Sequence, residues 1–292
     1  MRGSEERGAG PVILVTGATG TVGREVARLL AGRFPLRVLA RRPERVRITG
    51  ERVRVVAGDY ADRASLDRAL TGVRAAFLVT NSPVEPDDER FADAARAAGV
   101  RHLVKLSAHA VADPGADDFV TRRQRDNEAA VRASGLDWTF LRPRRFMSNT
   151  LSWAGSIRSE GVVRALYGLS PNATVDPRDI AEVAVRALTE PGHEGRSYAL
   201  SGPEPVSAAQ QTAELSEVLG RPLRFEELSR RQAREQLLRR YPRPVADALL
   251  DSAVRQLTGA KATVGNTVLE VTGRPARAYR TWARDHAAAF AA

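Results

Sequence analysis

The stretch Gly17-Ala18-Thr19-Gly20-Thr21-Val22-Gly23 is where residue type and spacing point most directly to chemistry. A bound pyrophosphate needs backbone N–H groups at close range and the positive end of a helix, so the turn that holds it must be nearly free of side chains. In this spacing Gly17 makes the tight turn, Gly20 lets the backbone approach the phosphates, and Gly23 lets helix and strand pack closely. Glycine triplets are common in turns. Set between a β-branched strand and an amphipathic helix, this one reads as a dinucleotide signature, with contacts at Gly17, Thr19, Gly20, Thr21 and Val22.

Other polar residues fall where such a ligand would need them. An NAD enzyme usually offers a carboxylate after the second strand for the ribose 2′-hydroxyl, whereas a 2′-phosphate wants arginine there. This chain has Ala40-Arg41-Arg42-Pro43, so Arg41 and Arg42 favour NADPH over NADH. Asp59 can accept from an adenine amino group or cap the following helix. Thr80-Asn81-Ser82 would line the ribose side of the cofactor, although ordinary turn chemistry also accounts for it. Arg144 and Arg145, in Arg142-Pro143-Arg144-Arg145-Phe146, could hold a carboxylate, phenolate or phosphate of a substrate, or be a solvated arginine-rich loop.

The elements that must position these residues alternate between β-branched runs and helical patterns, the mark of βαβ units and a parallel sheet. Strands are expected at 12–16, 36–40, 53–57, 75–80, 103–107 and 138–141. Helices are expected after the first strand and at 87–98, 117–134 and 179–188, with Leu66 and Leu70 marking another. A strand at 197–200, a helix at 207–219 and a strand at 223–228 precede a mostly helical remainder. The fold class is therefore α/β, a doubly wound parallel Rossmann sheet with a smaller, mixed, mostly helical C-terminal lobe. Residues 1–10 read as a flexible lead and 11–150 as the nucleotide domain, with 176–205 returning to pack on the sheet. Residues 151–175 and 206–292 make the substrate lobe.

Composition narrows the class. A chain of 292 residues has ample core for one large domain plus a lobe. Cysteine is absent, which removes disulfides, thiolate metal sites and cysteine nucleophiles and fits a reducing cytoplasm. No metal site is expected, and no apolar run approaches a membrane span. The net charge of +10 comes from arginines spread along the chain; only Lys105 and Lys261 are lysines. No aromatic-interleaved basic stripe marks a nucleic-acid surface. The most basic stretch, Arg221 to Arg243, reads as a solvated helical face or a cap over an anionic ligand.

The opening Val15-Thr16-Gly17-Ala18-Thr19-Gly20-Thr21-Val22-Gly23 resembles that of the NmrA-like family of atypical short-chain dehydrogenases/reductases. So do Gly58-Asp59, the run from Ala133 to Pro143, Phe146-Met147-Ser148-Asn149, Asp176-Pro177-Arg178-Asp179-Ile180-Ala181, and Tyr198 to Glu204. The resemblance covers nearly the whole chain. It implies NAD(P)H binding in a cleft between the sheet and a C-terminal lobe, with Tyr60, Ser107, Pro143 and Phe146 added to the cofactor contacts. Phe146 and Asn149 would face the substrate beside Arg144 and Arg145. Members include quinone and azo reductases, natural-product reductases and redox-sensing regulators.

Short-chain reductases typically pair a serine with a Tyr-x-x-x-Lys whose tyrosine protonates the developing alkoxide. Ser107 matches the serine, but the tyrosine and lysine positions fall at Val120 and Gln124. A standard reductase of simple ketones is disfavoured, because alkoxide protonation cannot be skipped there. Hydride transfer to a quinone or other conjugated, polycyclic aromatic acceptor gives a far less basic product, and positioning supplies most of the acceleration. Ser107 and His109 are the expected catalytic residues, His109 as a proton donor at neutral pH. The first expectation is thus an NADPH-dependent oxidoreductase with a small aromatic or quinone-like, anionic substrate, acting as a cytoplasmic monomer or homodimer. A non-catalytic NADP(H) sensor is the second. A ketoreductase or epimerase assisted by water or His109 is the third.

Overall fold

The computed structural model describes residues 10–82 and 84–291. Most of the expected lead, residues 1–9, and Pro83 of the break after Asn81-Ser82 lie outside the described residues.

Seven strands form one sheet. They are β1 (Val12–Thr16), β2 (Leu36–Ala40), β3 (Val53–Ala57), β4 (Val73–Leu78), β5 (His102–Leu106), β6 (Asp137–Pro143) and, later in the chain, β8 (Arg196–Leu200), in the order β3-β2-β1-β4-β5-β6-β8. The pairings from β3 across to β6 are all parallel. Parallel strands buried on both faces need helical crossovers. These are α1 (Thr21–Leu30), α2 (Arg63–Leu70), α3 (Asp87–Ala97) and α4 (Phe119–Ala133), and α6 (Pro177–Thr189) precedes β8. Strand order reverses between β1 and β4, so the carboxyl ends of those two strands flank the crevice where ligands bind in such sheets.

The remaining elements are α5 (Ala154–Glu160), β7 (Val162–Ala165), α7 (Ala208–Leu219), β9 (Arg224–Glu227), α8 (Arg230–Leu238), α9 (Arg243–Gln256), α10 (Thr267–Thr272) and α11 (Tyr279–Asp285). β7 and β9 make a separate two-stranded parallel sheet, with Val163 opposite Phe225. Among the described residues no helix is long and apolar enough to cross a membrane.

The chain divides into two compact units. One runs to Ser107 and includes Gln124–Leu141 and Ile180–Tyr198; the other comprises Ala108–Arg123, Arg142–Asp179 and the chain from Ala199. Residues 108–123 and 142–150, expected within the nucleotide domain, therefore group with the second unit. The first unit's core includes Leu14, Leu66, Leu70, Phe91, Leu103, Val131 and Phe140. The second unit's core is built on Met147, Trp153, Ile157, Val163, Leu215, Tyr279, Trp282 and Phe290.

Differences from the expected elements have local causes. β4 ends at Leu78 rather than Thr80 because Val79 leaves the ladder: its N–H goes to Thr16 Oγ1 at 2.8 Å and its carbonyl accepts from the Tyr60 hydroxyl at 2.8 Å. β7 and a 3₁₀ segment at Met147–Trp153 carry no periodic pattern, and β7 exists only because a strand some sixty residues later pairs with it.

Candidate functional site

The glycine loop begins directly at the end of β1. Gly17 adopts φ +67°, a left-handed conformation, and a Cβ there would meet Val79 Cβ at 2.8 Å. A Cβ on Gly23 would be driven into the Gly17 and Thr16 carbonyls. The turn closes with Gly20 N–H donating to the Gly17 carbonyl at 2.9 Å. Gly20 is the N-cap of α1 and supplies no side-chain cap, and no acidic residue occupies the first turn. By contrast, α7 and α8 start with complete Ser-Gln capping boxes. Exposed N–H groups at an uncapped helix start, behind a cradle that side chains would fill, fit a pyrophosphate. Thr19, Gly20 and Thr21 are exposed, and Val22 is buried as the first rung of the helix's apolar stripe.

A polar pocket of about 230 Å³ lies beside the ends of β2 and β3, lined by Arg41, Ala57, Gly58, Asp59, Asp62, Ser65 and Arg68. Of the two arginines expected at this corner, both exposed, Arg41 lines the pocket and Arg42 is the N-cap of the 3₁₀ turn Pro43–Arg45. The second guanidinium is Arg68, from α2. Both carboxylates are committed to backbone: Asp59 accepts from Ala61 N–H at 2.9 Å, and Asp62 caps α2 through Ser65 N–H at 3.2 Å. The helix cap is therefore Asp62 rather than Asp59. Tyr60 is held by its bond to Val79 and an edge contact with Phe91, and burial pushes its phenol well above the usual value.

Further along the carboxyl edge, Thr80 donates to Asp88 Oδ2 at 2.7 Å, and Asp88 is also ion-paired with the fully buried Lys105. Asn81 is exposed. Ser107 follows β5, and its hydroxyl donates to Glu128 Oε1 at 2.6 Å; Glu128 is 0% exposed and ion-paired with Arg132 at 3.3 Å. Ser107 therefore presents lone pairs rather than a free proton. Gln124, at the lysine position, has a buried Oε1 with no hydrogen-bond partner among the described residues.

In the second unit, Pro143 is buried at the end of β6, and Arg144 N–H donates to the Leu200 carbonyl at 2.8 Å. Phe146, half-buried, bridges to Val175, and Asn149 is exposed on the 3₁₀ segment that follows. His109 begins the 3₁₀ turn His109–Ala112, with Nδ1 buried and unpartnered among the described residues. Burial, reinforced by the Arg144 charge, lowers its pKa to about 4. At neutral pH the ring is therefore neutral, offering one N–H and one lone pair.

Two residues that the structure places beside these groups were not legible in the sequence: Arg68, lining the pocket, and Glu128, bonded to Ser107. Glu128 had a usable signal, because Val120, Gln124 and Glu128 are spaced four apart and share one face of α4.

Known proteins match this arrangement. The family model described as NAD(P)H-binding matches residues 17–191. A (4-alkanoyl-5-oxo-2,5-dihydrofuran-3-yl)methyl phosphate reductase of Streptomyces griseus subsp. griseus is 68% identical over 280 residues, 96% of this chain and 99% of that protein. An NAD(P)H azoreductase of Xenophilus azovorans is 39% identical over 288 residues, 96% and 100% of the two chains. The structure of an NADPH-dependent quinone oxidoreductase from Escherichia coli, complexed with NADPH, superposes with a TM-score of 0.82 at 27% identity, covering 94% and 99%. With its glycine cradle, its β3-β2-β1-β4-β5-β6-β8 sheet and these relatives, the chain belongs to the NAD(P)H-binding family of oxidoreductases and shares the fold of NmrA.

Proposed function

We propose that this protein is an NADPH-dependent reductase of a conjugated, doubly activated carbon–carbon double bond, its acceptor being a 4-alkanoyl-5-oxo-2,5-dihydrofuran-3-ylmethyl phosphate. The observation that carries this reading is the near-full-length, 68% identical relative named for that reduction.

The chemistry of such an acceptor suits the residues present. Bound NADPH supplies the hydride. Addition at ring carbon 3 breaks the ring double bond and leaves the electron pair on carbon 4, delocalised over the lactone and alkanoyl carbonyls. A 1,3-dicarbonyl enolate is far less basic than an alkoxide, so water can return the proton to carbon 4 without a tuned acid. Val120 and Gln124 at the tyrosine and lysine positions then cost the reaction little. Ser107, its proton held by Glu128, positions groups by accepting hydrogen bonds. Neutral His109 supports the developing oxyanion with an N–H hydrogen bond. Arg41 and Arg68, in the pocket after β2, favour the 2′-phosphate of NADPH.

The test is NADPH oxidation with the acyl-furanone phosphate, monitored at the reduced-nicotinamide band, with product identified by mass. Turnover giving a product two hydrogens heavier supports the reading; binding of NADPH with no oxidation across furanones, quinones and azo dyes overturns it in favour of a sensor. A quinone acceptor is the second reading, favoured by the superposition on the quinone oxidoreductase. Faster oxidation with quinones than with the furanone phosphate would select it.

A further inference from the structure

Among the described residues, three cations of the second unit, Arg144, Arg145 and Lys261, form no ion pair. Arg144 is half-buried, and its Nε is buried without a partner among the described residues. Arg145 keeps solvent access yet is surrounded by protein: its guanidinium lies 6.0 Å from the Trp153 ring centre, and loss of surrounding water holds it below arginine's usual value. Lys261 is half-buried, with Nζ donating to Ser252 Oγ at 2.6 Å.

The backbone holds these positions together. Ala173 N–H donates to the Lys261 carbonyl at 2.9 Å, and Val175 N–H donates to the Arg145 carbonyl at 2.9 Å. Residues 145 and 261 thus bond to the same short segment, at positions two residues apart. Arg144 is adjacent in the chain.

The nearby acids hold other partners as well, and the Asp113 charge also acts on Arg144. Asp113 is ion-paired with Arg255 and accepts from Gly115 N–H at 3.1 Å. Asp118 caps the start of α4 through Thr121 N–H at 2.9 Å and Thr121 Oγ1 at 2.6 Å. Burial and then the charges of Arg145 and Arg144 lower the Lys261 ammonium to about 8; Arg255 acts in the same direction, and Asp118 opposes them. Crowded, partly desolvated positive charge with no ion pair among the described residues favours an incoming multivalent anion with several acceptor oxygens.

We propose that Arg144, Arg145 and Lys261 form the seat for a phosphate monoester on the substrate, with Lys261, anchored by Ser252, discriminating the phosphorylated from the dephosphorylated form. This rests on the reading that the acceptor carries a phosphate ester. The seat is a specificity device remote in the sequence from the nucleotide loop.

Because the chain contains only two lysines, labelling with [¹³Cε]lysine reports on the seat directly. With NADP⁺ saturating, the full-length protein is titrated with pH in methyl phosphate and, separately, in sodium chloride of equal ionic strength. Lys261→Arg assigns its resonance by loss of that signal. Methyl phosphate should move the Lys261 midpoint up from about 8, chloride should not, and Arg144→Ala should weaken the response. A midpoint that methyl phosphate leaves unchanged, or that chloride moves equally, overturns the seat. In turnover, Lys261→Met should raise KM for the phosphorylated acceptor about tenfold to a hundredfold, as for a lost charge-assisted hydrogen bond. The KM of the corresponding alcohol and the affinity for NADP⁺ should stay the same, and Lys261→Arg should restore most of the loss. An equal KM increase for ester and alcohol also overturns the seat. If the lysine responds to methyl phosphate but no furanone phosphate is reduced, the acceptor assignment falls and the seat stands.

Discussion

Val79 shows how a single residue sets the nucleotide loop. Its N–H and carbonyl are taken by Thr16 and Tyr60, and its side chain fills the space where a Gly17 Cβ would sit. Gly23→Ala should therefore abolish measurable NADPH binding, because the new methyl group meets backbone that cannot yield; nucleotide fluorescence titration checks this. Arg41→Ala and Arg68→Ala should each weaken NADPH about tenfold or more while leaving NADH unchanged, as expected where a guanidinium holds only the 2′-phosphate. Equal losses for both nucleotides would contradict that role. His109 provides a pH reading. Its native pKa of about 4 lies below the unfolded value near 6.5, so the native state resists a proton that the unfolded chain accepts. Its contribution to stability is intact above pH 6.5 and is lost as pH falls from 6.5 toward 4. The His109 ring resonance should titrate near 4 by NMR, and Arg144→Ala should move that midpoint up.

At the scale of elements, helix starts differ in how they are closed. α2, α7 and α8 are closed by Asp62, Ser207 and Ser229, whereas α1 starts with a bare Gly20. Asp62→Ala should cost about 1 kcal/mol of stability in denaturant unfolding, the usual cost of a lost cap, and should also disturb the pocket that Asp62 lines. The strands and crossover helices of the first unit were readable from periodicity because each βαβ step buries its own apolar pattern. Elements held by distant contacts were not, and two of them show why. β7 is a four-residue strand stabilised by pairing with β9, and the 3₁₀ segment at Met147–Trp153 is held by packing of Met147 and Trp153 into the second core. Neither carries a local repeat, so no window of sequence announces it.

For the whole molecule, the chain crosses between its two units at 107/108, 123/124, 141/142, 179/180 and 198/199. Neither unit is therefore a single contiguous piece of chain. A fragment ending at residue 150 lacks Ile180, Val183, Ala184 and Ala187 of α6 together with β8, all in or leading into the first unit's sheet. It should fail to unfold cooperatively by circular dichroism, while the full chain does. Equal cooperativity would show that the sheet is complete without its late-arriving members.

The amino-acid sequence by itself determined the Rossmann sheet, the nucleotide loop and the vacancy of the tyrosine–lysine pair, because these depend on neighbouring residues and short periods. Tertiary structure alone decided that Arg68 lines the pocket with Arg41, that the Ser107 hydroxyl donates to Glu128, that burial lowers the His109 pKa, and that residues 145 and 261 bond to the same short segment. Each of these depends on burial or on contacts between residues far apart in the chain, and the free energy of a charge is set by such surroundings rather than by its immediate neighbours in sequence.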